Sequence, residues 1–126
     1  MSDVLKFESI NAHGTTFKKG SSITYSATSK NGSADVGKAV KMGSVAGTVE
    51  LLTEDAEPLG RLEQVHPDGF VTVNDQGYMI LPCTGSITYG GGLVGSATTG
   101  KVKTGTNPVC KAIDAGASGE VVAFFR

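Results

Sequence analysis

The chain has 126 residues, of which 18 are glycine, 39% are hydrophobic and 6% are aromatic, and its formal net charge is −1. This size predicts one domain with a modest core, and the near-neutral charge argues against a nucleic-acid binder, which would carry a basic face. No stretch approaches the ~20 apolar residues that a membrane-spanning helix needs, and the first residues lack the basic-then-apolar pattern of a secretory signal.

The N-terminal third is polar and rich in glycine and serine. Residues 4–10 form a lone strand-like segment, and residues 11–22 and 28–37 have the composition of long loops. We therefore predict an extended N-terminal arm with loops over residues 1–35, followed by a β-domain over residues 36–126.

Short apolar runs separated by Gly, Asn, Asp and Pro continue to the C-terminus. No 12-residue window keeps a 3.6-residue apolar stripe, and turn signals recur about every 8–12 residues, which is typical of a small β-barrel or β-sandwich. We predict an all-β fold with Gly-rich loops. The predicted strands are 23–25, 39–42, 48–52, 59–66, 70–73, 78–81, 93–97, 109–113 and 120–125.

Two turns stand out among these strands. Asn74-Asp75-Gln76-Gly77 separates 70–73 from 78–81 and predicts that these two strands form a hairpin. His66-Pro67-Asp68-Gly69 is a second strong turn. Alternation in the predicted strand 59–66, which precedes this turn, places Leu59, Arg61, Glu63 and Val65 on one face. Leu62 and Gln64 lie on the other face.

Two glycine-rich segments resemble nucleotide-binding motifs. Residues 90–95 match Gly-x-Gly-x-x-Gly, and residues 95–101 nearly match a phosphate-binding loop. Both motifs require a following helix, and the sequences that follow do not favour one. The second motif also needs Ser or Thr where Val102 stands. We interpret the first as a β-connection and the second as a turn at Thr99-Gly100 between two strands.

Few residues suggest catalysis or metal binding. His13 and His66 lack the spacing of metal ligands, and the acids at 54, 55 and 57 favour a solvated loop over a Ca²⁺ site. Cys83 and Cys110 are expected to be buried reduced thiols, although sequence alone leaves a disulfide open. We predict no cofactor, no metal and no enzymatic activity.

Charge is unevenly distributed along the chain. Residues 50–75 carry seven acids against Arg61, a net −6, whereas residues 1–49 carry +3 and residues 76–126 carry +2. The simple interpretation is a solvated acidic face, and the alternative is that acidic and basic faces of neighbouring copies meet in an assembly.

The order of the segments between residues 36 and 126 resembles the small head decoration (cement) proteins of tailed bacteriophages. The segments that carry the resemblance are 37–42, 47–52, 55–62, 68–73, 77–82, 100–103 and 119–124. The resemblance implies a structural virion protein on the outer surface of the head, assembled in the cytoplasm of a bacterial host. It implies a homotrimer that bridges major capsid proteins and stabilises the expanded shell. Given also the charge and the lack of a long apolar stretch noted above, we expect no nucleic-acid and no membrane partner.

Two sets of residues follow as candidate contact sites. A terminal strand can pair with a partner's sheet edge, so we expect a capsid-contacting arm in residues 4–10. Its apolar side chains are Val4, Leu5, Phe7 and Ile10. We expect an oligomer interface between an acidic and a basic group of side chains. These are Glu54, Asp55 and Glu57 on one copy, and Lys38, Lys41, Lys101 or Lys103 on the next.

Two other functions stay open from the sequence. A carbohydrate- or cell-surface-binding β module usually presents exposed aromatic side chains, and this chain has no Trp, three Tyr and five Phe. A hydrolase with a dispersed active site would need a cleft with perturbed ionisable residues, which no sequence pattern indicates.

Overall fold

The computed structural model describes residues 14–114 and 119–126. The regular structure of this part of the chain is ten β-strands and one 3₁₀ turn, so the all-β prediction is confirmed. The strands are β1 Gly14–Lys19, β2 Ala39–Met42, β3 Thr48–Leu51, β4 Gly60–Val65, β5 Phe70–Asn74, β6 Gly77–Pro82, β7 Gly92–Gly95, β8 Val102–Gly105, β9 Cys110–Ala112 and β10 Glu120–Phe125, and the 3₁₀ turn is Lys30–Gly32. Among these residues no helix has the length and apolarity to cross a membrane.

The first five strands form a closed barrel in the order β1-β3-β2-β4-β5, with β5 pairing back to β1. β1 and β3 run parallel, with Lys18 opposite Thr48, and the other neighbours are antiparallel. Because alternate side chains of each strand point inward, the barrel encloses its own aliphatic core. That core consists of Ile23, Val40, Val49, Leu51, Leu62, Val65, Val71 and Val73.

The last five strands form a second sheet in the order β6-β10-β9-β7-β8. The residue that follows β6, Cys83, makes a parallel bridge with Val102 of β8, so the two outer strands of the sheet are drawn together. The sheet curls around a second core, which includes Met79, Leu81, Leu93, Val102, Cys110, Ala112, Val121, Ala123 and Phe125.

The barrel and the second sheet share side chains and backbone hydrogen bonds. Ala39 of β2 and Leu52, which follows β3, pack into the second core. The Ala39 N–H donates to the Gly100 carbonyl at 2.9 Å, and the Gly100 N–H donates to the Leu52 carbonyl at 2.8 Å. A Cβ on Gly95 would collide with the carbonyl of Thr53, so glycine is needed at this close approach. The barrel and the second sheet, the two layers of the fold, are therefore packed together at this junction.

The predicted hairpin between 70–73 and 78–81 is wrong, although both strands exist. β5 pairs with β4 and β1, and β6 pairs with β10, so residues 75–76 carry the chain from the barrel to the second sheet. Val71 and Val73 are buried in one core, whereas Met79 and Leu81 are buried in the other. Turn-forming residues indicate where a strand ends, but the destination of the next strand depends on which core buries its side chains.

The predicted facing of β4 is also wrong. A register shift between Leu62 and Gln64 lets both Leu62 and Val65 enter the barrel core. Such a β-bulge reverses the alternation beyond it. The turn at 66–69 is confirmed: Gly69 has φ 91°, and the His66 N–H donates to the Phe70 carbonyl at 2.8 Å.

The loop predicted over residues 11–22 is interrupted by a strand. Residues 14–19 form β1, and Ile23 is completely buried in the barrel core although 23–25 form no strand. The described part of the predicted arm, residues 14–35, therefore packs into the barrel, because β5 offers β1 an unpaired edge. The candidate arm side chains Val4, Leu5, Phe7 and Ile10 lie outside the described residues.

Candidate functional site

The outer face of the second sheet is apolar across β6 and β10. Side chains alternate across a strand, so an antiparallel sheet with one solvated face normally carries polar residues on that face. Here the side chains pointing away from the core are Tyr78, Ile80, Val122 and Phe124, and Tyr78 and Ile80 are 64% and 48% exposed. We call these four residues the outer patch.

The strand register makes the outer patch continuous. Tyr78 is directly opposite Phe124, and Ile80 is directly opposite Val122. The rings of Tyr78 and Phe124 lie 4.8 Å apart between centroids at an interplanar angle of 44°. Cross-strand neighbours of this kind lie within contact distance, so the four side chains form one surface.

One end of the outer patch is basic. Lys111 of β9 is directly opposite Phe124, and it lines a shallow pocket of about 370 Å³ together with Arg126 and Phe124. Further apolar side chains, Tyr89, Val109 and Ile113, line the same pocket, and Tyr89 is 72% exposed. The apolar surface therefore continues beyond β10 and ends beside two cations.

The opposite end of the outer patch is acidic. Glu120 at the start of β10 and Asp114 line a smaller pocket of about 180 Å³ together with Ile80 and Val122. The Val122 N–H donates to Asp114 Oδ1 at 3.2 Å, which holds this carboxylate beside the strand. Two cations, Lys38 and Arg61, line an adjoining pocket with Ile80 and Glu120, and Arg61 donates to the Ile80 carbonyl at 3.2 Å. Each of them is already paired with a carboxylate, Lys38 with Asp35 at 3.0 Å and Arg61 with Glu63 at 2.6 Å. Along the direction of β10 the patch therefore has a cationic end, an apolar middle and an end at which carboxylates outnumber cations.

Three of the residues predicted for the oligomer interface contact each other within one copy. Lys103 Nζ of β8 lies 3.0 Å from Asp55 Oδ1 and 3.5 Å from Glu54 Oε2 of the same copy. The hydrogen bond with Asp55 raises the pKa of Lys103. Asp55 itself adopts a left-handed backbone, φ 63°, and its N–H donates to the Gly95 carbonyl at 2.9 Å. The acidic loop is therefore fastened to the second sheet within one molecule.

The remaining charges predicted for that interface are dispersed. Lys38 forms an ion pair with Asp35 at 3.0 Å, and Lys41 of β2 is opposite Glu50 of β3. Lys101 precedes β8, and Glu57 is exposed in the loop that leads to β4. The structure brings Glu54, Asp55 and Lys103 together and leaves the other four residues apart.

Glu50 takes part in a hydrogen-bonded cluster on the barrel. Its carboxylate accepts hydrogen bonds from the Ser22 hydroxyl at 2.5 Å and from the Ser22 N–H at 2.9 Å. These bonds lower the pKa of Glu50, with a smaller contribution from Lys41. Ser22 Oγ also accepts from the Leu51 N–H, so the cluster ties the segment after β1 to β3. Its geometry fits a structural role.

Both cysteines are free and buried, as predicted. Burial raises the pKa of the Cys110 thiol to about 12, and burial with the nearby Asp114 raises the pKa of Cys83. Thiols in this state are poor nucleophiles. Among the described residues, no group of three or more His, Cys, Asp or Glu side chains could hold a metal ion.

The glycine-rich segments lie in β-connections. Tyr89 and Gly90 form a turn before β7, and Gly100, with φ 84°, lies in the turn between the antiparallel strands β7 and β8. The predicted turn at Thr99-Gly100 is confirmed. Neither segment begins a helix, so the phosphate-binding geometry of the two motifs is missing.

The sequence prediction missed the outer patch. The signal was present in two uninterrupted apolar runs, Tyr78–Leu81 and Val121–Phe125, which lack the alternation of a half-solvated strand. Such runs indicate a strand that is buried on both faces. One face of each run is buried in the second core, and the other is the outer patch.

No family model, no curated protein and no solved structure matches this chain.

Proposed function

We propose that this protein is a structural component of a tailed-phage virion that binds the outer surface of the head. It stabilises the expanded shell by bridging major capsid subunits and performs no catalysis. The observation that supports the proposal most is the outer patch, because a continuous exposed apolar surface is characteristic of protein–protein interaction sites. The sequence resemblance over residues 36–126 suggests the class of partner.

The packing between the two layers suits a bridging role. A protein that clamps a shell transmits force between subunits, and a rigid body does so better than two loosely tethered units. The shared core residues Ala39 and Leu52 and the hydrogen bonds at Gly100 supply that rigidity. Many copies on a shell need only modest affinity per contact, because each copy binds several subunits at once.

In this function the N-terminal segment contacts the shell, and the folded domain contacts neighbouring copies. Val4, Leu5, Phe7 and Ile10 contact a capsid sheet edge through backbone hydrogen bonds and apolar side chains. On the shell the protein acts as a homotrimer, the oligomer that the resemblance implies.

The test compares two forms of the protein with purified expanded heads. Full-length protein should sediment with expanded heads, and the amount bound should reach a plateau as more protein is added. It should not sediment with unexpanded heads. Protein lacking residues 2–10 should stay in the supernatant, while its circular dichroism and thermal unfolding match those of the full-length chain. Normal decoration by the truncated protein would refute the role of the segment, and no binding by the full-length protein would refute the proposed function.

One observation favours a second candidate, a carbohydrate-binding module. Tyr89 and Tyr78 are 72% and 64% exposed, and Tyr89 borders the pocket of about 370 Å³ at the basic end of the outer patch. Sugar rings stack on such aromatic faces. Titration calorimetry with a panel of bacterial surface polysaccharides tests this candidate: we expect no heat of binding, and a saccharide whose binding is lost in Tyr89→Ala would favour it over decoration.

A further inference from the structure

We infer that the outer patch is a pairing surface that takes the same patch of a second copy of this chain. The two sheets meet face to face, and a two-fold axis lies in the plane between them, at right angles to the strands. This inference goes beyond the proposed function, since it concerns the free protein and requires no shell.

The charges at the two ends of the outer patch favour a second copy of this chain as the partner. Lys111 and Arg126 flank the end where Phe124 lies, whereas Asp114 and Glu120 flank the other end. Glu120 and Phe124 are four residues apart on β10, which corresponds to roughly 13 Å along an extended strand. Lys38 and Arg61 also lie near Glu120, but their charges are offset by Asp35 and Glu63. The patch therefore carries net charges of opposite sign at its two ends.

A two-fold axis at right angles to the strands makes the two copies complementary in charge. It reverses the strand direction of the second copy, so the basic end of each copy faces the acidic end of the other. A two-fold contact of this kind is self-complementary, because the same surface is used on both copies. An axis parallel to the strands would instead place Lys111 and Arg126 against their counterparts, which like-charge repulsion disfavours.

The apolar middle of the patch supplies the remaining attraction. Tyr78 and Ile80 on β6 pack beside Phe124 and Val122 on β10, and the surface extends to Ile113, which is 40% exposed. Aligned packing of two such sheets is a common arrangement in β-proteins. An exposed patch of this kind covers roughly 300–600 Å², and a stable dimer buries about 800 Å² per partner. We therefore expect a weak pair whose population depends on the protein concentration.

The inference is compatible with a trimer on the shell. In an icosahedral lattice, two-fold axes relate neighbouring three-fold positions. A face-to-face contact of two copies would then join adjacent trimers, and the three-fold contacts would use other surfaces.

The test is the mass of the free protein as a function of concentration, measured by sedimentation equilibrium. We expect a monomer–dimer equilibrium. Lys111→Glu and Glu120→Lys should each weaken the dimer about tenfold or more, because each places like charges opposite one another, and Ile80→Lys should have a similar effect. Lys30→Glu, a charge reversal on the exposed 3₁₀ turn of the barrel, is the matched control and should leave the dimer unchanged.

A charge swap gives the sharpest readout. The double variant Lys111→Glu with Glu120→Lys restores opposite charges across the axis and should regain the dimer. A mixture of the two single variants should form a mixed pair, since the new acid at position 111 of one copy then faces the new base at position 120 of the other.

Three results would overturn the inference. The first is a monomer throughout the concentration range, and the second is a dimer or trimer that the patch variants do not affect. The third is an association that disappears when residues 2–10 are deleted but tolerates the charge variants, because the N-terminal segment and not the patch would then hold the copies together. Head binding is measured separately, so a failure of pairing and a failure of decoration are distinguishable.

Discussion

Tyr78 and Phe124 face each other across β6 and β10 with ring centroids 4.8 Å apart, on the side of the sheet away from the core. Tyr78 remains 64% exposed in this arrangement. An aromatic pair at the surface has less water to displace than a core pair, so its energetic contribution to folding is modest. Its exposure points instead to a role in contact with another molecule.

The first prediction concerns the energy of this pair. In a double-mutant cycle with Tyr78→Ala and Phe124→Ala, urea unfolding should give a coupling energy of about 0.5–1.5 kcal/mol, since the two rings interact directly. A cycle between Tyr78→Ala and Val45→Ala is the control, because Val45 lies on the exposed β2–β3 connection, and should be additive. Equal values in the two cycles would show that the rings do not interact in solution.

The second prediction concerns the junction between the two layers. Leu52 is fully buried and follows β3 of the barrel, yet it packs in the second core. Leu52→Ala should lower the free energy of unfolding by about 2–5 kcal/mol, because it leaves a cavity in a buried site. Thermal unfolding should remain a single transition.

The matched control for that variant is Leu62→Ala, which removes the same atoms from the barrel core only. If either variant separates unfolding into two transitions by calorimetry, the barrel and the second sheet fold independently. That result would contradict the rigid body on which a clamping role depends.

The third prediction concerns acid stability. The folded-state pKa of Glu50 is lowered by the Ser22 hydroxyl and N–H, so its stabilising contribution is complete above the unfolded pKa of about 4.3 and is lost as pH falls through the lower folded value. Ser22→Ala should therefore reduce stability at pH 7 more than at pH 3. Glu50→Gln should flatten the fall in stability below about pH 4.3.

Urea unfolding at a series of pH values measures this effect. The comparison is Glu57→Gln, which removes an exposed carboxylate in the loop before β4. If Glu50→Gln and Glu57→Gln give the same pH profile, the hydrogen bonds from Ser22 do not form in solution.

The fourth prediction addresses the acidic loop. Because Glu54 and Asp55 already contact Lys103 within one copy, charge reversal at Glu54, Asp55 and Glu57 should first weaken the attachment of this loop. We expect faster amide exchange around Asp55, and partial recovery when Lys103→Glu is added. The pair is at the surface, so the effect on global stability should be small.

The same variants test the interface predicted from the sequence. Light scattering of the triple charge reversal should show a changed oligomeric state if these acids also contact a neighbouring copy. An unchanged mass together with undiminished head binding would remove the loop from the assembly surface.

Much of the fold was predictable from local signals. Strands 39–42 and 120–125 were predicted with the boundaries that the structure has, since each is a mostly apolar segment and a glycine, Gly43 or Gly119, adjoins it. The turn at 66–69 was also predictable, because Pro67 fixes φ and Gly69 can adopt the positive φ of 91° that the turn has. These features depend only on neighbouring residues.

The pairing of strands was less predictable. The 74–77 segment has the composition of a hairpin turn, yet the chain passes there from one sheet to the other, because long-range burial decides which strands meet. The strand at 14–19 is polar on one side and carries little signal of its own. It forms because β5 and β3 offer it two edges, which are known only once the barrel is assembled.

The candidate site, too, was predictable from the sequence only in part. The charged residues that the sequence suggested are partly neutralised within one copy, and the pairing of Asp55 with Lys103 needed the fold to be seen. The unbroken apolar runs indicate that these strands are apolar on both faces. Only the cross-strand register shows that Tyr78 and Phe124 belong to one surface, the outer patch.

Head decoration can be observed in a reconstruction, by electron cryomicroscopy, of expanded empty heads incubated with saturating full-length protein. We expect added density on the outer surface, at three-fold and quasi-three-fold positions, that bridges neighbouring capsid subunits and fits the barrel and the second sheet. A map identical to that of untreated heads would contradict the proposed function.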